Sequence, residues 1–435
     1  MKHEQRDIRQ GTWQLEFRIL TRTILLYKIR KMERRGILYY KRRIYLDKIL
    51  PFVGTPMIKV ITGMRRTGKS VLLRQIAEIL KKRGEKTCFI NMELMANHRL
   101  RDPVVLYRHI IQMNVSAVII DEVQDITGWE EVTASLLAEG STDVYISGSN
   151  AGILSTDLAS RIAGRYIEFR VYPLGLEEFM QFRGSDAGTL EEEFWLYLKL
   201  GGMPGIHSMD LSSEVIYQYL NSVLDTVILN DVIIRNNIRS AALLESIFRF
   251  LADNIGSLYS AKRIADYLRS HGRKTSASTV IDYVKYMVDA CALHDVKRFD
   301  LRGKRQLAYT GKAFLSDLSF RHTVSGYREG AVSGFLENIV FMELLRRGYS
   351  VSIGTVADSE IDFVAEKGDS TLYLQVAYLM VSEETINREF SSLEAIPDNY
   401  PKLVLSMDKC IPSRGGIKQV YLPEFLVHPD RFIQS

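Results

Sequence analysis

Gly63, Met64, Arg65, Arg66, Thr67, Gly68, Lys69 and Ser70 form one unbroken stretch that fits G-x-x-x-x-G-K-[S/T] at every fixed position. Each residue type has a chemical task. The two glycines let the backbone turn so that successive N–H groups, from Arg65, Arg66 and Thr67 through Gly68 to Val71, point inward at phosphate oxygens, with the dipole of the following helix adding to them. Lys69 brings a mobile positive charge to the β and γ phosphates, and Ser70 offers a hydroxyl to Mg²⁺. The expected ligands are therefore ATP and Mg²⁺. A second signal is the apolar run 117–120, which ends in Asp121 and Glu122. Asp121 is expected to hold Mg²⁺, usually through water, and Glu122 to orient and polarise the attacking water, because consecutive residues leaving a strand point in different directions. Ser147-Gly148-Ser149-Asn150 closes another apolar run. Ser147 and Asn150 are candidates for sensing the γ-phosphate or the lytic water, although Gly, Ser and Asn also form ordinary turns. Arg161 and Arg165 follow; either reaches the γ-phosphate of a neighbouring subunit or pairs with a surface carboxylate.

These side chains need elements to hold them. Residues 57–62 read as a strand, 63–68 as a loop, and 70–80 as a helix with Val71, Leu72, Leu73, Ile76 and Leu80 at helical spacing, closed by Gly84. Further strands are predicted at 87–91, 117–120 and 144–147. Strands alternating with helices give βαβ units, so the first third is predicted to be an α/β domain with a parallel sheet. After Tyr172-Pro173 the pattern turns helical at 174–182 and 190–200 and breaks at Gly201-Gly202-Met203-Pro204-Gly205, the outline of a helical lid. Helical patterns at 212–250 and 259–298, then strand-like pieces at 294–299 and 306–310 around a basic turn, outline a winged helix. A Gly- and Ser-rich linker at 323–334 precedes a final α/β segment. The expected units are a basic extension (1–36), a P-loop core (37–172), a lid (173–225), a winged-helix-like domain (226–325) and a C-terminal domain (326–435).

Composition narrows the function classes. At 435 residues the chain is long enough for two to four domains, and 46% hydrophobic with 25% charged residues is an ordinary globular balance. Cys88, Cys291 and Cys410 lie far apart outside any C-x-x-C pattern, which argues against a disulfide framework or a zinc site and for a reducing compartment. The greasiest N-terminal stretch, 19–27, is interrupted by Arg22 and is too short to span a bilayer. No secretory leader is legible, so a soluble, cytoplasmic protein with no membrane partner is expected. Basicity is local: the first fifty residues hold 14 Lys and Arg against 5 Asp and Glu. That segment is an arm for nucleic acid, a solvated extension, or the product of a start placed ahead of Met32. Lys262, Arg263, Arg273, Lys274, Lys297, Arg298, Arg302, Lys304 and Arg305 gather around the winged-helix outline, where they either neutralise DNA phosphates or serve as ordinary solvated charge.

Taken together, Ile61-Thr62-Gly63 with Arg65 to Ser70, Asp121-Glu122-Val123-Gln124 with Gly128-Trp129, Ser147 to Asn150, Gly164-Arg165-Tyr166, Glu178-Phe179 and Gly201 to Pro204 resemble the prokaryotic AAA-type ATPases related to the archaeal ATPases. The resemblance covers roughly residues 37–435. It implies ATP binding and hydrolysis, a helical lid, a winged-helix-like middle and a C-terminal domain shaped like a PD-(D/E)xK nuclease. In nuclease-like relatives a helix carries Glu, one strand Asp and another E-x-K. Glu337 and Asp362 match the first two, but Gln375 and Ala377 stand where Glu and Lys would be, so nuclease activity is not expected and the domain is read as a docking surface for a protein partner. Homo-oligomerisation is a further expectation. The leading reading is an ATPase whose nucleotide state moves the lid and winged-helix region. Its rivals are a DNA-binding or DNA-processing protein in which ATP only controls assembly, and a nucleotide-binding scaffold that scarcely hydrolyses.

Overall fold

β1 (Ile58–Thr62) is buried along its whole length. Alternate residues leave it on opposite faces: Ile58 and Val60 join one apolar cluster, with Ile90, Val118, Ile120 and Leu136, whereas Ile61 joins another with Leu72, Leu73, Ile76 and Ile119. A strand covered on both faces needs helices on both, and α2 (Lys69–Lys82), α3 (Pro103–Met113) and α4 (Trp129–Glu139) supply them. In this computed structural model, which describes residues 40–149, 164–303, 305–326, 332–356 and 359–433, β1 belongs to an all-parallel sheet. β2 (Thr87–Asn91), β3 (Ala117–Asp121), β4 (Asp143–Ser147) and β5 (Tyr166–Arg170) complete it in the order β2-β3-β4-β1-β5. The fold is α/β, with a parallel sheet core of the P-loop type. β5 is an edge strand, absent from the strands predicted above because it has no apolar run. β4 lies between β1 and β3, with Ser147 level with Ile61, so the end of β4 falls between the loop after β1 and the carboxylates after β3.

Upstream of β1, α1 (Arg43–Ile49) packs against the sheet, while downstream of it α5 (Leu176–Arg183), α6 (Leu190–Leu200) and α7 (Ser213–Thr226) pack on one another through Phe179, Phe194, Leu198 and Leu220. Thr189 and Glu192 cap α6 reciprocally, which explains why this helix starts where it does. α7 does not stop at Thr226; it widens into a π-helical stretch, Val227–Ile234, before α8 (Ala241–Asp253). Next come β6 (Leu258–Tyr259), α9 (Ala261–Ser270), α10 (Ala277–Asp289) and the hairpin β7 (Leu293–Asp300) and β8 (Arg305–Leu315). The N-caps Ser240, Ser260 and Ser276 each accept a backbone N–H of the helix they open.

β7 pairs in parallel with β9 (Ser350–Val356), and the sheet runs on through β10 (Ser359–Lys367), β11 (Ser370–Val376), β12 (Lys402–Ser406) and β13 (Lys418–Tyr421). The boundary drawn from sequence at 325 and 326 thus crosses one eight-stranded sheet and one apolar core. Pairing between strands some fifty residues apart leaves no local sequence mark. The stretch read as a linker at 323–334 is also partly helical, taken up by α11 (Ser319–Ser325) and α12 (Val332–Arg347). Among the described residues no helix is long and apolar enough to cross a membrane.

Candidate functional site

Gly63 opens the loop at φ +134°, and a Cβ there would sit 2.2 Å from the Val171 carbonyl oxygen, so only glycine fits. Gly68 closes it at φ +97° and directly precedes α2, whose first residue is Lys69. Between them Arg66 is also left-handed, at φ +66°. Lys69 is buried, and its ammonium donates to the Gly63 carbonyl at 2.9 Å and the Met64 carbonyl at 3.1 Å. Burial lowers its pKa, against the opposing pull of Glu122 and Asp121. Thr67 faces away from solvent, its hydroxyl donating to the Met64 carbonyl at 2.9 Å.

The acidic partners approach from β3. Asp121 is fully buried and accepts hydrogen bonds from the Ser147 hydroxyl, at 2.5 Å, and from Ser70. Burial raises its pKa and these two hydroxyls oppose the rise. Ser147 also accepts the Glu122 backbone N–H at 3.2 Å, so one hydroxyl ties both acidic residues to the end of β4. Glu122 sits at φ +59°, a strained setting for a non-glycine residue that turns its side chain off the strand axis, and Gln124 donates to its carboxylate. The structure therefore brings Lys69, Ser70, Asp121, Glu122 and Ser147 together at the C-terminal edge of the parallel sheet. A cavity of about 370 Å³ opens there, lined by Arg65, Arg66, Gly68, Lys69, Ser70, Val71 and Glu122 together with Tyr40, Gln75, Phe182, Pro204 and Tyr219. That volume suits a ligand the size of a nucleotide. Ser70 and Asp121 are hard oxygen donors of the kind Mg²⁺ takes, alongside phosphate oxygens and water.

Arg165 lies elsewhere. It is exposed and precedes β5, where its carbonyl accepts the N–H of Ile58 at 2.9 Å. Ile58 begins β1 while the loop follows its end, so the length of a strand, roughly 17 Å, separates Arg165 from the loop of its own chain. Asn150 and Arg161 lie outside the described residues, as does the basic extension 1–36.

Two residues that the sequence reading did not single out belong to the site. Arg42 is 4% exposed. It grips Glu178 with two parallel bonds, at 2.8 and 2.6 Å, and donates to the carbonyls of Thr67 and Tyr172 at 2.9 Å each. The loop is thereby braced against α5. Asp231, on the π-helical stretch, holds Arg65 at 2.8 Å. Each of these residues gains its meaning from a partner more than 130 positions away, which no local pattern reveals.

The nuclease-like constellation looks different. Glu337 and Asp362 do come together, but the ammonium missing from position 377 arrives from β8: Lys312 lies 2.9 Å from Glu337, 2.9 Å from Glu360 and 3.1 Å from Asp362. The absence of a lysine inferred from Ala377 is thus corrected, since a strand distant in sequence supplies one. Asp362 also accepts the Val376 N–H at 2.9 Å, and Gln375 accepts the Asp362 N–H at 3.3 Å. Burial, then the Asp362 charge, pushes the Glu337 carboxyl well above its usual range. An ammonium at the centre of three carboxylates occupies the position a divalent cation would need. Of the basic residues around the hairpin, Lys297 pairs with Asp295 at 2.5 Å and Arg305 with Asp300 at 3.8 Å, while Lys304 lies outside the described residues.

Residues 55–180 match the family model described as an AAA domain, and residues 191–330 match one described as a domain of unknown function. An uncharacterized protein of Haemophilus influenzae is 34% identical over 398 residues, which span 89% of this chain and 98% of that protein. An uncharacterized protein of Methanocaldococcus jannaschii is 28% identical over 362 residues, spanning 78% and 79%. Among solved structures, AMPPCP-bound DnaA from Aquifex aeolicus overlaps 56% of this chain and 85% of its own at 16% identity and a TM-score of 0.30. The Aeropyrum pernix ORC1 protein in complex with DNA overlaps 67% and 96% at 12% identity and a TM-score of 0.33.

Proposed function

We propose, for a chain that belongs to one family with the Haemophilus influenzae protein and carries an AAA domain at residues 55–180, the activity of an Mg²⁺-dependent ATPase whose nucleotide state repositions its C-terminal segments. The observation that carries this reading is that Lys69, Ser70 and Glu122 line one nucleotide-sized cavity, with Asp121 hydrogen-bonded to Ser70 behind it. The backbone N–H groups of Arg65 to Val71 cradle the phosphates, and Lys69 leaves the carbonyls of Gly63 and Met64 for the β and γ oxygens. Ser70 and Asp121 would hold Mg²⁺, which when bound would neutralise phosphate charge. Glu122 orients the attacking water and accepts its proton, and Ser147 keeps both acidic residues in register. Arg165 is assigned to the phosphates of a neighbouring copy, because its own lie a strand's length away.

The test is ATP turnover with and without Mg²⁺ for the wild type and Glu122→Gln. Mg²⁺-dependent phosphate release that the substitution removes, with ATP binding kept, is the expected outcome. Equal turnover by the two proteins would overturn the role of Glu122, and saturable binding without turnover in the wild type would favour the scaffold reading.

A further inference from the structure

Arg65 stands inside the phosphate loop, yet its side chain is turned to another part of the chain. Its Nε donates to Asp231 at 2.8 Å, and Glu93 lies 4.0 Å from its Nη1. Asp231 is 4% exposed and sits within Val227–Ile234, the π-helical continuation of α7. That stretch buries Val227, Ile228 and Val232 but leaves Leu229 at 51% and Ile234 at 65% exposure. A π-turn within a helix is a weakly held register, recurrent at functional sites. Arg65 also lines the cavity with Lys69 and Glu122, and so does Thr226, the last residue before the π-turns. The Glu122 charge is close enough to act on the Arg65 guanidinium, as the Lys69 charge is on Asp231. Two anions therefore claim one guanidinium: a buried carboxylate already present and the terminal phosphate of a nucleotide whose lytic water Glu122 would orient.

We infer that Arg65 exchanges Asp231 for the terminal phosphate of a bound nucleoside triphosphate, so that the Arg65–Asp231 pair reports nucleotide state to the Val227–Ile234 stretch. The inference rests on the proposed nucleotide site and deepens it by naming its regulation. A diphosphate lacks the competing group and leaves the pair intact. A triphosphate strips a buried carboxylate of its cation and sets a second anion beside it, an arrangement that is unfavourable while both stay in place. The stretch carrying Asp231 relieves this by loosening, which frees the segment joining α7 to α8.

Hydrogen exchange of the amides of residues 227–234 tests this on the full chain, free and saturated with Mg²⁺ and either ADP or a non-hydrolysable ATP analogue. Occupancy is checked by titration with a fluorescent nucleotide. Exchange about tenfold faster with the triphosphate than with the diphosphate is expected. Asp231→Asn, which keeps the shape and removes the charge, should abolish that difference and raise the triphosphate-to-diphosphate affinity ratio about tenfold. Arg65→Gln must abolish the difference as well, which keeps the test decisive should the first variant fail to fold. Identical exchange in the two occupied states overturns the inference while leaving the nucleotide site standing. Absence of saturable binding by the wild type overturns both.

Discussion

Two lysines in this molecule face carboxylates, with opposite outcomes. Lys69 lies beside an open cavity, satisfied by two backbone carbonyls, with Asp121 and Glu122 near but not bonded to it. Lys312 is closed in by Glu337, Glu360 and Asp362. A lysine whose partners are neutral carbonyls can be drawn away by a phosphate, because nothing charged is left behind. A lysine already neutralising buried carboxylates cannot leave without stranding them. Residue types alone make the two clusters look like rival active sites; what each cation already touches separates a candidate binding site from a clasp between the β7–β8 hairpin and the C-terminal strands.

Breaking the clasp should have the largest effect. Lys312→Met leaves two buried carboxylates, Glu337 and Asp362, and the half-buried Glu360 without their cation and is expected to lower unfolding free energy by about 3–5 kcal/mol in urea titrations, with ATP affinity unchanged in the folded fraction. A loss below about 1 kcal/mol would show that the cluster is held by something else. Glu122→Gln works in the reverse sense, cutting turnover by about 10²-fold or more while leaving stability near wild type. Ser147→Ala removes a hydroxyl bonded to a carboxylate, an interaction worth about 1.5–3 kcal/mol, and is expected to slow turnover by roughly tenfold or more with ATP still bound. Undiminished turnover in that variant would reduce Ser147 to a turn residue.

A last effect concerns the packing behind Phe182, which lines the open site. His207 is buried between Phe179 and Phe182, and burial, followed by the Arg183 charge, lowers its pKa to about 3. The folded state thus binds its proton more weakly than the unfolded chain. The neutral ring's contribution is fully present above about pH 6.5 and is lost as pH falls toward 3, at about 1.4 kcal/mol per pH unit. Denaturation at pH 7 and pH 5 should show a loss that His207→Phe diminishes; an unchanged difference in that variant would contradict the burial argument.

The open site was far more legible than the clasp. Gly63 to Ser70 are contiguous, and Asp121-Glu122 end an apolar run, so local chemistry and strand periodicity were enough to find them. Arg42, Asp231 and Lys312 carried no such mark. Arg42 sits in a basic stretch and means nothing until Glu178 lies against it, and Lys312 reads as hairpin surface charge until β8 is placed beside β10 and α12. The parallel core was visible through its apolar strands; the edge strand β5 and the eight-stranded sheet, built from pairings across the presumed boundary at 325, were not.

The central claim is that Lys69 is held in reserve for a triphosphate. Equilibrium titration of wild type and Lys69→Ala with a fluorescent ATP analogue and Mg²⁺ tests it most directly. Saturable wild-type binding that weakens by about 10²-fold or more in a variant of unchanged fold is the result expected for losing one partner of a desolvated charge pair. Equal affinity in the two proteins would contradict it.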